Sequence, residues 1–331
     1  MNGPASPLPE RLFVVDSHTL GEPTRVVVDP AAAAWCPAGG DLRARRDAFR
    51  RDHDPIRRAL VGDPRGGEAM VGVILVPPTD PRCRFAAIYV NRVGYLDMCG
   101  HATIGLAVTL GRLGMIGPGT FALETPAGVV TVTWHGDDAA AFDNVPARRT
   151  ARGVRLRCDD GREVTGDVAT AGLWFFISAD HGETLEAANV PRLTGRAWSI
   201  RRALDARGLA GDGGAVIDHV VLLGPPADPA NHARNFVLCP DGAFDRSPCG
   251  TGTGAIVGCL HADGRLPTGE PWRQESILGG VYEATVRRVD DAIVPTVAGR
   301  AWITAESTLY FGGGDPYRYG LPAIPRVERI A

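Results

Sequence analysis

Two stretches decide how this chain folds: DMCGHATIGLA at 97–107 and SPCGTGTGAIV at 247–257. Each sets a cysteine before a glycine, continues with a small polar residue, and runs into apolar sequence. From Ala102 to Met115 the residues are apolar nearly all round, the mark of a helix buried on every side. Residues 252–262 repeat that pattern. The two cysteines stand 150 positions apart, from 99 to 249, close to half of the 331 residues. The reading is of two pseudo-equivalent α/β halves, each with a cysteine at the mouth of its central helix.

The flanking sequence supports it. Residues 11–29 read as two short strands about a polar turn, and 42–61 as an exposed amphipathic helix. Segments 69–77 and 85–93 are apolar and partly β-branched, hence strands, and 121–134 reads as a hairpin turning at 126–128. Strand-like runs at 172–178, 215–223 and 234–239 lead to the second motif, and 276–311 alternates in short β segments. The first half is expected over 1–144, rejoined by the C-terminal segment 312–331, and the second over 145–311.

Composition narrows the chemistry. The net charge of -3, from 35 basic and 38 acidic residues, excludes a polybasic surface for nucleic acid or anionic membrane. No apolar run reaches the ~18–20 residues of a membrane span. The N-terminal sequence lacks a basic segment followed by an apolar one, so no secretory signal is visible and the cytoplasm is the expected location. All 35 basic residues are Arg. Chemistry built on a lysine amine, a pyridoxal-phosphate Schiff base above all, is therefore excluded. The seven cysteines, odd in number and without a C-x-x-C pair, argue against a disulfide framework, a thioredoxin couple or a zinc ribbon. Cys99 and His101 lack the second close pair that a zinc site needs. The GTGTGA stretch follows a polar loop and not a strand, which sets it apart from a dinucleotide loop. Neither a metal nor an organic cofactor is expected.

A lone cysteine at a helix start is more often a small buried hydrophobe. Two in matching contexts ask for another account. A helix N-terminus offers unpaired N–H groups and about half a positive charge, which stabilise a thiolate and hold a carboxylate. On that ground the two thiol pKa values are expected to fall from about 8.5 toward neutrality. Gly100 and Gly250, without a Cβ, let the backbone approach a ligand. Two thiols facing one small anion suit stereoinversion at carbon: one thiolate removes a proton from one face, and the other thiol returns one to the opposite face.

The motifs MCGHATIG and DRSPCGTGT closely resemble the two active-site motifs of the proline racemase family. DSHTLGEPTR, the PRG at 64–66, TPAG at 125–128, WFF at 174–176, RNFVLCP at 234–240 and IVPTVAGRAWIT at 293–304 extend the resemblance over almost the whole chain. It implies a diaminopimelate epimerase-like α/β (α+β) fold, two halves each curling a sheet around a central helix, with the site in the cleft between them. It implies that Cys99 and Cys249 are the acid/base thiols and that Gly100, His101, Gly250 and Thr251 bind substrate. Asp245 matches a family acid that accepts bonds from a ring ammonium, and His219 a substrate-contacting histidine. His18 and His181 receive no role.

Members that dehydrate trans-3-hydroxyproline carry Thr in place of the second thiol, so Cys249 favours an epimerase or racemase. The wider similarity favours inversion of trans-4-hydroxy-L-proline to cis-4-hydroxy-D-proline. A proline racemase, a 3-hydroxyproline 2-epimerase or a catalytically silent imino-acid binder, in monomeric or homodimeric form, are the alternatives. Two positions depart from the family pattern: Leu173, where Asn is usual, and Ala102, where Gly is commoner. Loss of the Asn leaves recognition of a substrate hydroxyl to other polar groups.

Overall fold

The computed structural model describes residues 8–36 and 39–322. In the first half β1 (Arg11–Thr19) and β2 (Glu22–Val27) lead into α1 (Leu42–Val61), then β3 (Val71–Val76), β4 (Phe85–Val90) and the short β5 (Tyr95–Leu96). The central helix α2 (Gly100–Arg112) follows, then β6 (Gly119–Thr125), β7 (Gly128–Gly136) and β8 (Ala139–Asp143). The second half runs β9 (Arg148–Arg157), β10 (Glu163–Thr170), β11 (Trp174–Ser178), α3 (Val190–Ala206), β12 (His219–Gly224) and β13 (Ala233–Leu238). It ends with α4 (Gly250–Ala262), β14 (Trp272–Ser276), β15 (Val281–Val289) and β16 (Ala292–Tyr310).

The halves share one topology. β2 and β3 are parallel neighbours joined through α1, and β4 and β6 parallel neighbours joined through α2. In the second half β11 and β12 repeat the arrangement across α3, and β13 and β14 across α4. Antiparallel hairpins supply the rest. β16 pairs with β1 at one edge and β8 at the other, which closes the first sheet into a barrel. On the far side the second sheet runs from β16 through β15 to β9, and an Ala147–Ile293 bridge brings its end back to β16.

Each barrel wraps its central helix, and the strand sequences show why. Val71 and Val73 of β3 and Ala87 and Tyr89 of β4 point inward onto α2, whereas Ile74, Val76, Ala86, Ile88 and Val90 point outward beneath α1. Strands covered on both faces read as continuous apolar runs, as VGVILV and FAAIYV do. β12 and β13 behave alike: Val221 and Val237 face the inner core, Val220, Leu222, Phe236 and Leu238 the layer under α3. Every residue from Gly100 to Leu110 and from Gly250 to Leu260 is buried. The quoted motif segments around α1 are joined by Arg25. Its guanidinium pairs with Asp16 at 2.7 Å and donates to the carbonyls of Leu60 and Arg65.

Three details differ from the sequence reading. The chain rejoins the first half earlier than 312, pairing with β8 from Thr296 and with β1 from Ala301; residues 323–331 of the expected segment lie outside the described residues. The segment 276–311, read as short pieces, holds a 19-residue strand that serves both barrels. Helix α3 was not expected, because Pro191, Gly195 and four Arg blur its apolar stripe.

Candidate active site

Helices α2 and α4 begin against each other. A Cβ built on Gly100 would lie 2.8 Å from the Cα of Gly250 and 2.8 Å from Phe142 Cζ; one on Gly250 would lie 2.9 Å from the Cα of Gly100. Only glycine fits either position. The space expected for a ligand's approach is taken first by the opposite helix. The residue before each glycine is the helix N-cap, so the contact fixes the two cysteines on either side of one cleft.

Cys99 caps α2 in an extended conformation. Its carbonyl accepts from the Thr103 N–H (3.0 Å) and hydroxyl (2.8 Å), and Tyr89 locks that hydroxyl at 2.6 Å. Cys249 caps α4 at φ +63°, a backbone region that a side chain normally avoids at a cost of about 1–3 kcal/mol. The Gly252 N–H donates to its Sγ at 3.4 Å. Thr253 and Asn235 both donate to the Pro248 carbonyl, which holds the strained turn in place.

All eight residues named from the sequence line one pocket at this contact: Cys99, Gly100, His101, His219, Asp245, Cys249, Gly250 and Thr251. His101 Nδ1 lies 3.4 Å from Cys99 Sγ, and Thr251 Oγ1 lies 3.7 Å from Cys249 Sγ. His219, at the start of β12, packs against Phe175, and its Nδ1 lies 2.7 Å from Asp218 Oδ1. Asp245 Oδ1 accepts from the N–H and hydroxyl of Ser247. Leu173 lines the pocket as well, whereas Ala102 is buried in the first turn of α2. His18 and His181 serve the scaffold: His18 accepts from the Gly21 N–H, and His181 lies 3.2 Å from the Leu223 carbonyl.

The electrostatics correct one expectation. Burial pushes both thiols up, not down, and the Asp245 carboxylate adds to the shift at each. Helix N–H groups oppose it, those of Ala102 and His101 at Cys99 and that of Gly252 at Cys249, without overcoming desolvation. Near neutral pH both groups are therefore thiols. His101 is pulled below its ordinary value by burial and stays neutral.

The sequence reading missed five polar or thiol groups in the lining: Glu22, Glu68, Asn91, Cys239 and Asp241. Glu22 stands inside a quoted motif, DSHTLGEPTR, and Cys239 inside RNFVLCP, segments that served only to extend the family resemblance. Val71, Leu96 and Phe244 add an apolar wall beside Leu173. Among the described residues, no group of three or more His, Cys, Asp or Glu side chains is placed to hold a metal ion.

Two helix-filled barrels with a thiol from each at their junction define the diaminopimelate epimerase-like class of α/β folds. Comparison with known proteins gives the family. The proline racemase family profile matches residues 14–322, and the chain belongs to that family. It is 44% identical over 314 residues to a 4-hydroxyproline 2-epimerase of Burkholderia cenocepacia, covering 94% of this chain and 99% of that protein. It is 46% identical over 311 residues to the 4-hydroxyproline 2-epimerase of Xanthomonas campestris pv. campestris, covering 94% and 98%. Among solved structures, a hydroxyproline epimerase from Agrobacterium vitis, with trans-4-hydroxy-L-proline bound, superimposes with a TM-score of 0.84 at 23% identity over 95% of both chains. A phenazine biosynthesis protein of Bacillus anthracis shares the fold at a TM-score of 0.62 and 13% identity, covering 91% of this chain and 99% of that one.

Proposed function

We propose that this protein is a cofactor-independent 4-hydroxyproline 2-epimerase that inverts Cα of trans-4-hydroxy-L-proline through Cys99 and Cys249. The observation that carries the reading is the pair of buried thiols capping two equivalent helices at one pocket. The relatives of similar length that act on 4-hydroxyproline supply the substrate.

The substrate carboxylate meets the first N–H groups of α2 and α4, Gly100 to Ala102 and Gly250 to Gly252, where two helix dipoles add. The ring ammonium turns to Asp245. Cα then lies between the two sulfur atoms; one thiol gives up its proton to solvent as the substrate binds, and as the resulting thiolate removes the Cα proton, charge moves onto the carboxylate held at the helix ends. Fixed donors in a dry pocket stabilise that charge more than water does. The opposite thiol delivers a proton to the other face, and the reverse reaction exchanges the roles. A thiol raised by burial is a stronger base once ionised. Burial, with the Asp245 charge added to it, holds both thiols protonated, and the bound ammonium offsets the Asp245 part. Free thiols in this mechanism suit a cytoplasmic enzyme.

Incubation of purified protein with trans-4-hydroxy-L-proline, proline and both 3-hydroxyprolines, followed by chiral chromatography, tests the proposal. Formation of cis-4-hydroxy-D-proline after exhaustive chelation and dialysis is the expected outcome. No inversion of any of the four would favour a silent binder, and a loss of activity restored by a metal would contradict the cofactor-free reaction.

A further inference from the structure

Glu22 stands at the start of β2 inside the first barrel, yet its carboxylate belongs to the same pocket wall as Asp245 of the second half. Both are buried, at 5% and 7% exposure. The two hang from one turn. The Arg246 N–H donates to Glu22 Oε2 at 2.7 Å, one residue after Asp245, and the Ser247 N–H and hydroxyl hold Asp245 Oδ1. The barrels thus deliver two carboxylates to one end of a pocket whose other groups are thiols, helix N–H donors and a neutral imidazole.

Resting on the reading that the ligand is an imino acid, we propose that Glu22 is a second carboxylate for the ring ammonium, and that it releases a proton to solvent when that ammonium binds. Two buried carboxylates lining one pocket cannot both carry charge cheaply. Burial, then Asp245, then the more distant Asp241, hold Glu22 well above the usual carboxylate range; the Arg246 N–H and its guanidinium charge work against them. Cys99 and Cys239 face the same carboxylate, and a Glu22 charge would raise both thiols further. His101, which sits against the Pro23 carbonyl next door, is neutral and offers no compensating charge. An entering ammonium reverses the balance. Two protons are counted apart: the Glu22 carboxyl gives up one to solvent as it pairs with the ammonium, and the one that a thiol loses to become the base does not depend on Glu22.

Calorimetry at pH 7 in buffers of different ionisation enthalpy counts that proton. The titrant is an equilibrium mixture of both 4-hydroxyproline epimers, so that no net reaction contributes heat. Pyrrole-2-carboxylate, planar and with an uncharged ring N–H, is the control ligand. Wild-type protein should release about one proton more with hydroxyproline than the Glu22→Gln variant does, and none with the pyrrole acid. Glu22→Gln keeps an acceptor for the Arg246 N–H. It should lower the release by about one proton and weaken hydroxyproline about tenfold or more, the loss of a hydrogen bond to a charged group, while pyrrole-2-carboxylate affinity changes by less than about threefold. Hydroxyproline binding without proton release in the wild type, or a release undiminished in Glu22→Gln, overturns the assignment. Absence of binding by both ligands overturns the imino-acid reading itself, and this inference with it.

Discussion

Cys249 takes a backbone conformation that costs energy and Cys99 does not, yet both end at the same pocket, and burial pushes both thiols upward. The shift yields a first test. Thiolate, not thiol, reacts with iodoacetamide, so alkylation of the unliganded protein should climb through the alkaline range with a midpoint above the ordinary value of about 8.5. A midpoint near 7 would show that the helix ends outweigh burial. Replacement tests the roles: Cys99→Ser and Cys249→Ser should each lower turnover by about 10²–10⁴-fold or more, since a hydroxyl is a far poorer proton carrier near neutral pH. Near-normal inversion in either variant contradicts the two-base account. Leu173 bears on substrate choice. With Val71, Leu96 and Phe244 it makes an apolar wall, so selection of a hydroxyl falls to polar lining groups such as Asn91 and Asp241. A site built around a buried hydroxyl disfavours proline by about 1–3 kcal/mol. The ratio of kcat/KM for hydroxyproline over proline should exceed one, and a ratio at or below one would mark a proline racemase. The cysteines were plain in the sequence because each motif announces a helix start. Glu22 was hidden because its meaning depends on Asp245, 223 positions away in the chain.

Helices α2 and α4 were predictable because a helix buried all round carries no polar face; their first residues were not. The expected starts at 102 and 252 move back to Gly100 and Gly250, since apolar periodicity does not register a glycine whose role is to touch another glycine. That contact is testable. Gly100→Ala or Gly250→Ala drives a methyl into opposing backbone, and nothing flexible is there to give way. Each should destabilise the protein by about 1–3 kcal/mol, read as a fall in Tm, and spread the thiols enough to depress kcat. Alanine tolerated at both positions with full activity would remove the contact from the account. α3 escaped the sequence reading for the opposite reason: its arginines are structural. Arg196 is buried and donates to the His181 carbonyl, a partner that local pattern cannot supply.

The two barrels share β16, the inner core and the glycine contact, so neither half has a boundary free of the other. Unfolding in urea should accordingly follow one transition, with tryptophan fluorescence and far-ultraviolet circular dichroism superimposed. Two resolved transitions would mean that the halves are separable. Internal duplication was readable from the two motifs, whereas the crossing of the chain within β16 was not, because one 19-residue strand has no local signal for where it changes partner. The site exists only because the halves face each other, and its central claim is that each contributes one base. Following the first turnovers of trans-4-hydroxy-L-proline in deuterated water tests this most directly. Two bases predict deuterium at Cα of every newly formed cis-4-hydroxy-D-proline, while the remaining substrate keeps its proton. Product that retains the substrate's own proton, or substrate that gains deuterium as fast as product forms, would mean that a single base serves both faces and would contradict the account.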